Sequence, residues 1–577
     1  MTNIFLGRLP LLLEIFGNGF FVLIYTLFRS KKALAFLDQI AVDQILNWST
    51  WIVPLVLAIS LVSHFIKSDS IEDFFRRYIF SLIIFVPMVI TIGDIEFTYW
   101  LAAVHLFSTI ISLNERKSVE KTVVEEIGSS FLFRLKLDPA QVVLLSFAGV
   151  ILTGALLLAL PVSAAAGKSI SFIDALFMST SATCVTGLAS ISLVDDFSVF
   201  GQLVLLVLVQ VGGLGIMTLS SSLAIIMGKN LAMREQVIMQ DVLDASSSQE
   251  LLNLIIDIVR FTFLIEFIGA IILTIGFYQE GLEIGQSLYY GFYHAISAFC
   301  NAGFALFNNN LEDFKFTPLI HFSIAFLIIF GGLGFSVIQD IKETVFIRKR
   351  GWQDLAVHTK IVIVTNFALL TGGTMYLFFG EFLHSFADMS MWEKFQVSFF
   401  QSVTTRTAGF NSINLNTLHP HCIYMMILLM FIGASPGSTG GGVKTTTFAI
   451  LLQSVKATLQ GKRHVQFFER TIPAQIVVKS IAIFIVSLIT VSLCVLIMMR
   501  VEPDKNFLAI FFEVTSAFGT VGLSLGITPF LSSLGKFTLV VLMFIGRVGP
   551  LTLVLAVGSK VVLPNKVDYP DGKVLIG

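Results

Sequence analysis

The sequence has little charge. Only 13% of its 577 residues are Asp, Glu, Lys or Arg, about half the ~25% usual in a soluble domain. That level excludes an ordinary soluble enzyme. Basic and acidic residues nearly balance, 37 against 38, for a net charge of −1. No basic excess is present to hold nucleic acid or another polyanion. Cysteine is scarce as well. Cys184, Cys300, Cys422 and Cys494 lie far apart without CxxC spacing, so neither a zinc site nor a disulfide framework is indicated. The nine histidines form no HxxxH or HExxH pattern, which gives no support to a metalloenzyme. The first apolar stretch, from Leu9, contains Glu14 and lacks a small-x-small cleavage site. It reads as a membrane helix rather than a cleaved signal peptide.

Apolar residues are abundant, at 55% of the chain, with 56 phenylalanines. They gather in runs at 143–162, 203–227, 319–338, 361–380, 423–434 with its continuation, 475–499 and 537–558. About 20 such residues cross a bilayer as one helix. Further runs at 8–28, 45–66, 78–93 and 97–113 predict three or four extra membrane helices at the N-terminus. The charged stretch 114–136 reads as a cytosolic linker.

One pattern recurs four times: SATCVTGLAS (181–190), SAFCNAGFAL (297–306), VTTRTAGFNS (403–412) and SAFGTVGLSL (516–525). Each holds one glycine followed by Leu or Phe: Gly187, Gly303, Gly409 and Gly522. Successive separations are 303 − 187 = 116, 409 − 303 = 106 and 522 − 409 = 113 residues. A near-constant period is a fold-level signal. Before each glycine lies a stretch of 12–14 residues, such as FIDALFMSTSAT, too short to span a bilayer. Long apolar helices flank each stretch, and the later one is broken by glycines: VGGLG (211–215), FGGLG (330–334), IGASPGSTGGG (432–442) and IGRVG (545–549). Each unit therefore reads as M1, pore helix, loop, M2. Non-helical backbone at membrane depth is tolerated only where protein or water covers it, so four such loops require a common aqueous centre.

Charge placement orients the units. If all loops enter from outside, the inner segments carry Lys229, Arg234, Lys342, Arg348, Lys349, Arg350, Lys456, Lys462, Arg463, Arg470, Lys560, Lys566 and Lys573. The outer segments carry Asp195, Asp196, Glu280, Glu283, Glu312, Asp313, Glu381, Asp388, Glu502 and Asp504, with few lysines, chiefly Lys168, Lys315, Lys394 and Lys505. That asymmetry follows the positive-inside rule. The acids either concentrate cations at a mouth or simply keep loops polar. The domains read as an extension (1–113), a linker (114–136) and repeats at 137–228, 229–340, 341–455 and 456–577, the last with the C-terminal tail.

Backbone carbonyls can replace the hydration shell of a monovalent cation. The triplets Val185-Thr186-Gly187, Asn301-Ala302-Gly303, Thr407-Ala408-Gly409 and Thr520-Val521-Gly522 are the candidate filter. None contains an acid, which disfavours a calcium-type ring. GSTGGGVKT fails the nucleotide-loop pattern, since Val443 stands where a glycine should precede the lysine.

These loops, with GASPGSTGGGVKTTT at 433–447, resemble the Trk/Ktr/HKT superfamily of cation uptake proteins, over about residues 137–560. The match is nearest to bacterial KtrB- and TrkH-type membrane subunits. The resemblance implies an all-α polytopic membrane protein, with four M1–pore loop–M2 repeats in pseudo-fourfold arrangement around one pore. It implies potassium as the transported ion, and Gly187 in place of a serine favours potassium over sodium. It implies a homodimer in the plasma membrane of a bacterium, contacting lipid, and a cytosolic KtrA/TrkA-like ring of nucleotide-binding subunits. That ring would meet the basic loops around 229–252, 342–360 and 456–475. No cofactor, catalytic residue or nucleic acid is expected; a sodium dependence of transport is left open. The gate of the resembled family corresponds to Gly437, Ser438, Thr439, Gly440, Gly441, Gly442, Lys444 and Thr445, with Arg547 against it from below.

Other polar residues carry two readings each. Lys444 either joins the gate or reaches the cytosolic boundary. Arg406 either faces the filter or pairs with a carboxylate. Cys184 and Cys300 read as small packing residues, and Arg260 and Glu266 as a structural ion pair or a contact between units. Three rival functions stand beside potassium uptake: a sodium-permeable relative, a sodium- or proton-coupled symporter, and a non-conducting receptor or scaffold.

Overall fold

The structure is a computed structural model. It describes residues 139–215 and 248–549 without a gap, and scattered helical residues between 18 and 106. The linker 114–136, the predicted inner residues Lys229, Arg234, Lys560, Lys566 and Lys573, and the M2 continuations beyond 215 and 549 lie outside the described residues. The chain divides into two compact units, residues 1–135 with 223–230 and the remainder.

In the N-terminal unit, described helical residues fall within each of the four apolar runs. Phe21, Val53, Leu57, Met88 and Ala102 share one buried cluster. The side-chain amide of Asn18 meets His105 Nδ1 at 3.1 Å. The ends of these helices lie outside the described residues.

The second unit is helical, apart from one short hairpin. The first repeat comprises α1 (Pro139–Leu158), α2 (Phe172–Thr183) and α3 (Val199–Leu214). The second comprises α4 (Ser248–Gln279), α5 (Ile284–Phe299), α6 (Pro318–Leu333) and α7 (Phe335–Ile341). The third comprises α8 (Val357–Gly380), α9 (Met391–Thr404), α10 (Pro420–Phe431) and α11 (Thr445–Leu459). The hairpin pairs β1 (Gln466–Phe467) with β2 (Arg470–Thr471). The fourth repeat comprises α12 (Ala474–Val501), α13 (Phe507–Gly519) and α14 (Ser533–Val548).

Length and composition separate these helices. Among the described residues, the spans within α1, α4, α8 and α12 are long and apolar enough to cross a membrane. They expose large apolar side chains such as Leu156, Phe267, Phe367 and Ile489, more than a soluble surface tolerates. The helices that fall on the predicted pore helices, α2, α5, α9 and α13, are short. The 12 residues of α2 reach about 18 Å at 1.5 Å each, well under a hydrocarbon core of about 30 Å.

Helix starts follow local chemistry. Ser171, Ser390 and Asn506 cap α2, α9 and α13 by accepting a backbone N–H, and α6 and α10 open on Pro318 and Pro420, where a missing N–H costs nothing. The described parts of M2 end at left-handed glycines: Gly215 (φ 82°), Gly334 (φ 97°) and Gly549 (φ 93°). After Gly334 the chain bends by 95° into α7.

Packing between repeats is cyclic. Pore helix α5 packs on α3 of the preceding repeat, α9 on α6 and α13 on α10, while α2 packs on α14. The last repeat thus closes on the first.

Candidate functional site

Each pore helix ends by turning its chain back over its last turn. The amide of Thr186 donates to the Ser181 carbonyl (2.7 Å), Ala302 to Ser297 (2.7 Å) and Val521 to Ser516 (2.8 Å). The Ser181 and Ser516 hydroxyls accept from Gly187 and Gly522, both at 3.0 Å. In the third repeat Val403 stands at this position and Ala408 donates to Thr404 instead, at 3.0 Å. Side chains behind the loops brace them further. His294 Nε2 accepts from the Leu306 amide (3.3 Å), and Glu513 accepts from Ser524 (2.9 Å). Both stand nine residues before their glycine (303 − 294 = 9; 522 − 513 = 9). The residues after the glycines, Leu188, Phe304, Phe410 and Leu523, are buried and anchor the loops from behind.

The four triplets share one backbone conformation. Their first residues are left-handed: Val185 (φ 57°), Asn301 (φ 61°), Thr407 (φ 65°) and Thr520 (φ 50°). So are their glycines: Gly187 (φ 92°), Gly303 (φ 67°), Gly409 (φ 79°) and Gly522 (φ 94°). Each glycine also faces a carbonyl of the next loop. A Cβ on Gly303 would come within 2.6 Å of the Ala408 oxygen, and one on Gly409 within 2.6 Å of the Val521 oxygen. A Cβ on Gly187 would collide with the Ala302 oxygen, and one on Gly522 with the Thr186 oxygen. The four contacts close a cycle, each made by a middle-residue carbonyl.

Residues 432–444 run directly beneath. Gly433 donates to the Val443 carbonyl (2.8 Å) and Ala434 to Gly441 (3.3 Å), drawing the segment into a loop. Ser435 and Thr439 donate to the Gly332 and Gly331 carbonyls, both at 3.2 Å. The Gly441 amide donates to Thr520 Oγ1 at 3.1 Å. A Cβ on Gly440 would collide with Thr407 Oγ1. The loop therefore touches the triplets of the third and fourth repeats and the M2 break of the second. Thr445 Oγ1 donates to Ser435 Oγ (3.2 Å) and Ser438 Oγ to the Ser435 carbonyl (2.7 Å). Arg547 donates from Nη1 to the Thr439 carbonyl and from Nη2 to the Gly212 carbonyl, tying this loop to the M2 break of the first repeat.

The family model for TrkH, cation transport protein, matches residues 138–565. The chain belongs to this family. A Ktr system potassium uptake protein B of Bacillus subtilis is 39% identical over 77% of this chain and 98% of its own length. Its namesake from Vibrio alginolyticus is 40% identical over 76% of this chain and 94% of its own. The crystal structure of the potassium transporter TrkH from Vibrio parahaemolyticus has the same fold, with a TM-score of 0.57, 19% identity and coverage of 89% of this chain and 97% of that one. The chain is thus an integral membrane cation transport protein and not an enzyme.

In this member of the TrkH family the contacts of several polar residues choose between the two readings each carried. Among the described residues Arg406 pairs with no carboxylate; its Nη2 donates to Asn366 Oδ1 (3.0 Å) and the Gly433 carbonyl (2.9 Å), bracing the root of the lower loop. Lys444 folds back onto the Gly440 carbonyl at 2.6 Å. Glu266 bonds Gln210 of the first repeat (3.2 Å) rather than Arg260, so it joins two repeats. Buried Cys300 packs on Gly213 and also donates to Gln210 Oε1 at 3.4 Å.

Several outer acids hold loops. Asp196 pairs with Lys168 (2.8 Å), Glu280 accepts from Thr317 (2.7 Å) and Glu502 from the Ser532 amide (2.7 Å). Burial raises the Glu312 carboxyl above its ordinary pKa, partly offset by the Asn411 amide at 2.9 Å.

Proposed function

We propose that this chain is a potassium uptake pore whose filter is the set of four glycine triplets. The observation that carries this reading is their closed cycle with one shared backbone conformation. A left-handed first residue and a left-handed glycine flank each middle carbonyl, and each middle carbonyl faces the glycine of the next loop. Left-handed backbone at Val185, Thr407 and Thr520 is unfavourable for β-branched side chains, by about 1–3 kcal/mol each. Such cost is met where the conformation has a use, and aiming oxygens at a dehydrated cation is that use. That both relatives described above are potassium uptake proteins favours potassium over sodium.

In this reading the repeats stand in pseudo-fourfold order around one conduction path, with residues 437–445 as its gate. Arg547 holds that gate shut through Thr439 and Gly212 and places a positive charge on the path. The membrane potential drives entry. The chain pairs with a second copy and carries a cytosolic nucleotide-binding ring. Loops 342–360 and 456–475 suit that contact. Trp352 and Phe468 bring them together, with ring centroids 6.4 Å apart, and Arg348, Lys349, Arg350, Lys462 and Arg463 are exposed beside them.

The test is cation flux in liposomes holding the purified chain, with and without nucleotide-binding partners. Rubidium uptake that follows voltage and exceeds sodium uptake is expected. Equal rates would favour the sodium-permeable rival. Flux that follows a sodium or proton gradient at fixed voltage would favour the symporter. No flux with partner present would sink the transport reading.

A further inference from the structure

A cluster of three metal-type donors lies away from the triplets. Glu381 follows the C-terminus of α8, His384 sits three residues later, and His419 is the residue before α10. The Glu381 side chain is fully buried, whereas His384 and His419 remain 53% and 39% exposed. Glu381 Oε1 accepts the His419 backbone amide at 2.7 Å, which fixes the carboxylate. Its other oxygen, Oε2, faces His384 Nδ1 and His419 Nδ1, each at 3.2 Å. One donor atom from each residue lies within 4.8 Å of the other two.

We propose that Glu381, His384 and His419 form a binding site for a first-row divalent transition metal, with zinc as the representative ion. The site lies where the charge pattern puts the outer surface, and the inference is independent of the transport reading. Metal–ligand bonds of about 2.0–2.2 Å in a tetrahedron place donors about 3.3–3.6 Å apart. The two 3.2 Å separations are already close to this, and His384, on an exposed turn, closes the third. Two imidazoles and one carboxylate leave a fourth position, which the exposed side opens to water. Imidazole nitrogen selects zinc, copper or nickel over magnesium and calcium, which prefer oxygen. The supporting contacts are those of a metal site as well. Oε1 is held by an amide, and the His421 ring stacks on His419 with centroids 5.3 Å apart. A hydrogen-bonded cap on α10 alone would need only the His419 amide and Glu381. Nδ1–H hydrogen bonds from both imidazoles to Oε2 are the metal-free alternative, and metal content separates the two.

The full-length chain, stripped with EDTA in detergent, is dialysed against micromolar zinc and its metal content counted. About one zinc per chain is expected, undisturbed by excess magnesium. The double variant H384A/H419A loses it, while metal-free rubidium flux stays at the wild-type level, and H421A retains it. Absence of zinc from the wild type, or equal zinc in the double variant, overturns the proposal. Should the double variant fold poorly, cobalt added to the unaltered chain decides. Visible ligand-field bands that H384N weakens support the site, and their absence overturns it.

Discussion

Gly303 shows what a single atom does at this site. Alanine there would place a Cβ 2.6 Å from the Ala408 oxygen and 2.7 Å from Gly409 Cα, at a φ of 67°. Left-handed backbone alone costs an L-residue about 1–2 kcal/mol. G303A is therefore expected to lower rubidium flux about tenfold or more and to narrow its excess over sodium. Wild-type flux with wild-type selectivity would remove this triplet from the filter. Arg547 predicts the opposite sign. R547A deletes two charge-assisted bonds, to Thr439 and Gly212, of a type worth about 1.5–3 kcal/mol each. Partner-free flux should rise about tenfold, measured in the same liposomes; unchanged flux would count against Arg547 as a barrier. The glycines were legible in the sequence because glycine is the residue that left-handed turns select. The left-handed Val185, Thr407 and Thr520 were not, because β-branched residues suggest extended backbone. The serine six residues before the glycine recurs in three repeats (187 − 181, 303 − 297, 522 − 516) and could have announced the turned-back helix end. Glu381, His384 and His419 could not be read together, because 419 − 384 = 35 residues separate the last two.

Helices carried the clearest signal, since length and hydropathy decide them. The stretch FIDALFMSTSAT coincides with α2. The breaks expected at VGGLG and IGRVG fall where α3 and α14 end, at 214 and 548, with the next glycine left-handed in each. Contacts between helices were the illegible part. Lys536 of α14 donates to Asp174 of α2 at 2.7 Å across 362 residues of sequence. It holds the seam where the last repeat meets the first. Two other seams use uncharged pairs: Tyr289 with Gln202 (2.8 Å) and Gln396 with His321 (3.2 Å). The Lys536–Asp174 pair is mostly buried, with side chains 11% and 16% exposed. K536M leaves Asp174 uncompensated and should cost about 2–3 kcal/mol, seen as a lower melting temperature in detergent. K536M/D174N should recover much of it; a double variant as unstable as the single one would show that the seam depends on packing rather than charge.

At the scale of the whole molecule, family membership was legible from the residues: the TrkH family match covers 138–565, nearly the stretch 137–560 on which the resemblance rested. The order in which loops touch was not, because a period says nothing of which copies are neighbours. The exposed arginines between repeats two and three give a prediction at this scale. R348E/K349E/R350E should weaken capture of a nucleotide-binding ring by about tenfold or more while partner-free flux persists; undiminished capture in a pull-down would place the docking surface elsewhere. The lower loop has a further consequence. It belongs to one repeat out of four, and its anchors Thr439, Gly441 and Ser435 reach the second and fourth repeats directly and the first only through Arg547. A channel of four identical subunits opens by a concerted vote, and its response to a stimulus steepens accordingly. In the proposed pore a single segment is the gate. The open fraction of each chain should follow a simple single-step isotherm, with a Hill coefficient near one, and any steeper response would have to originate in an attached partner.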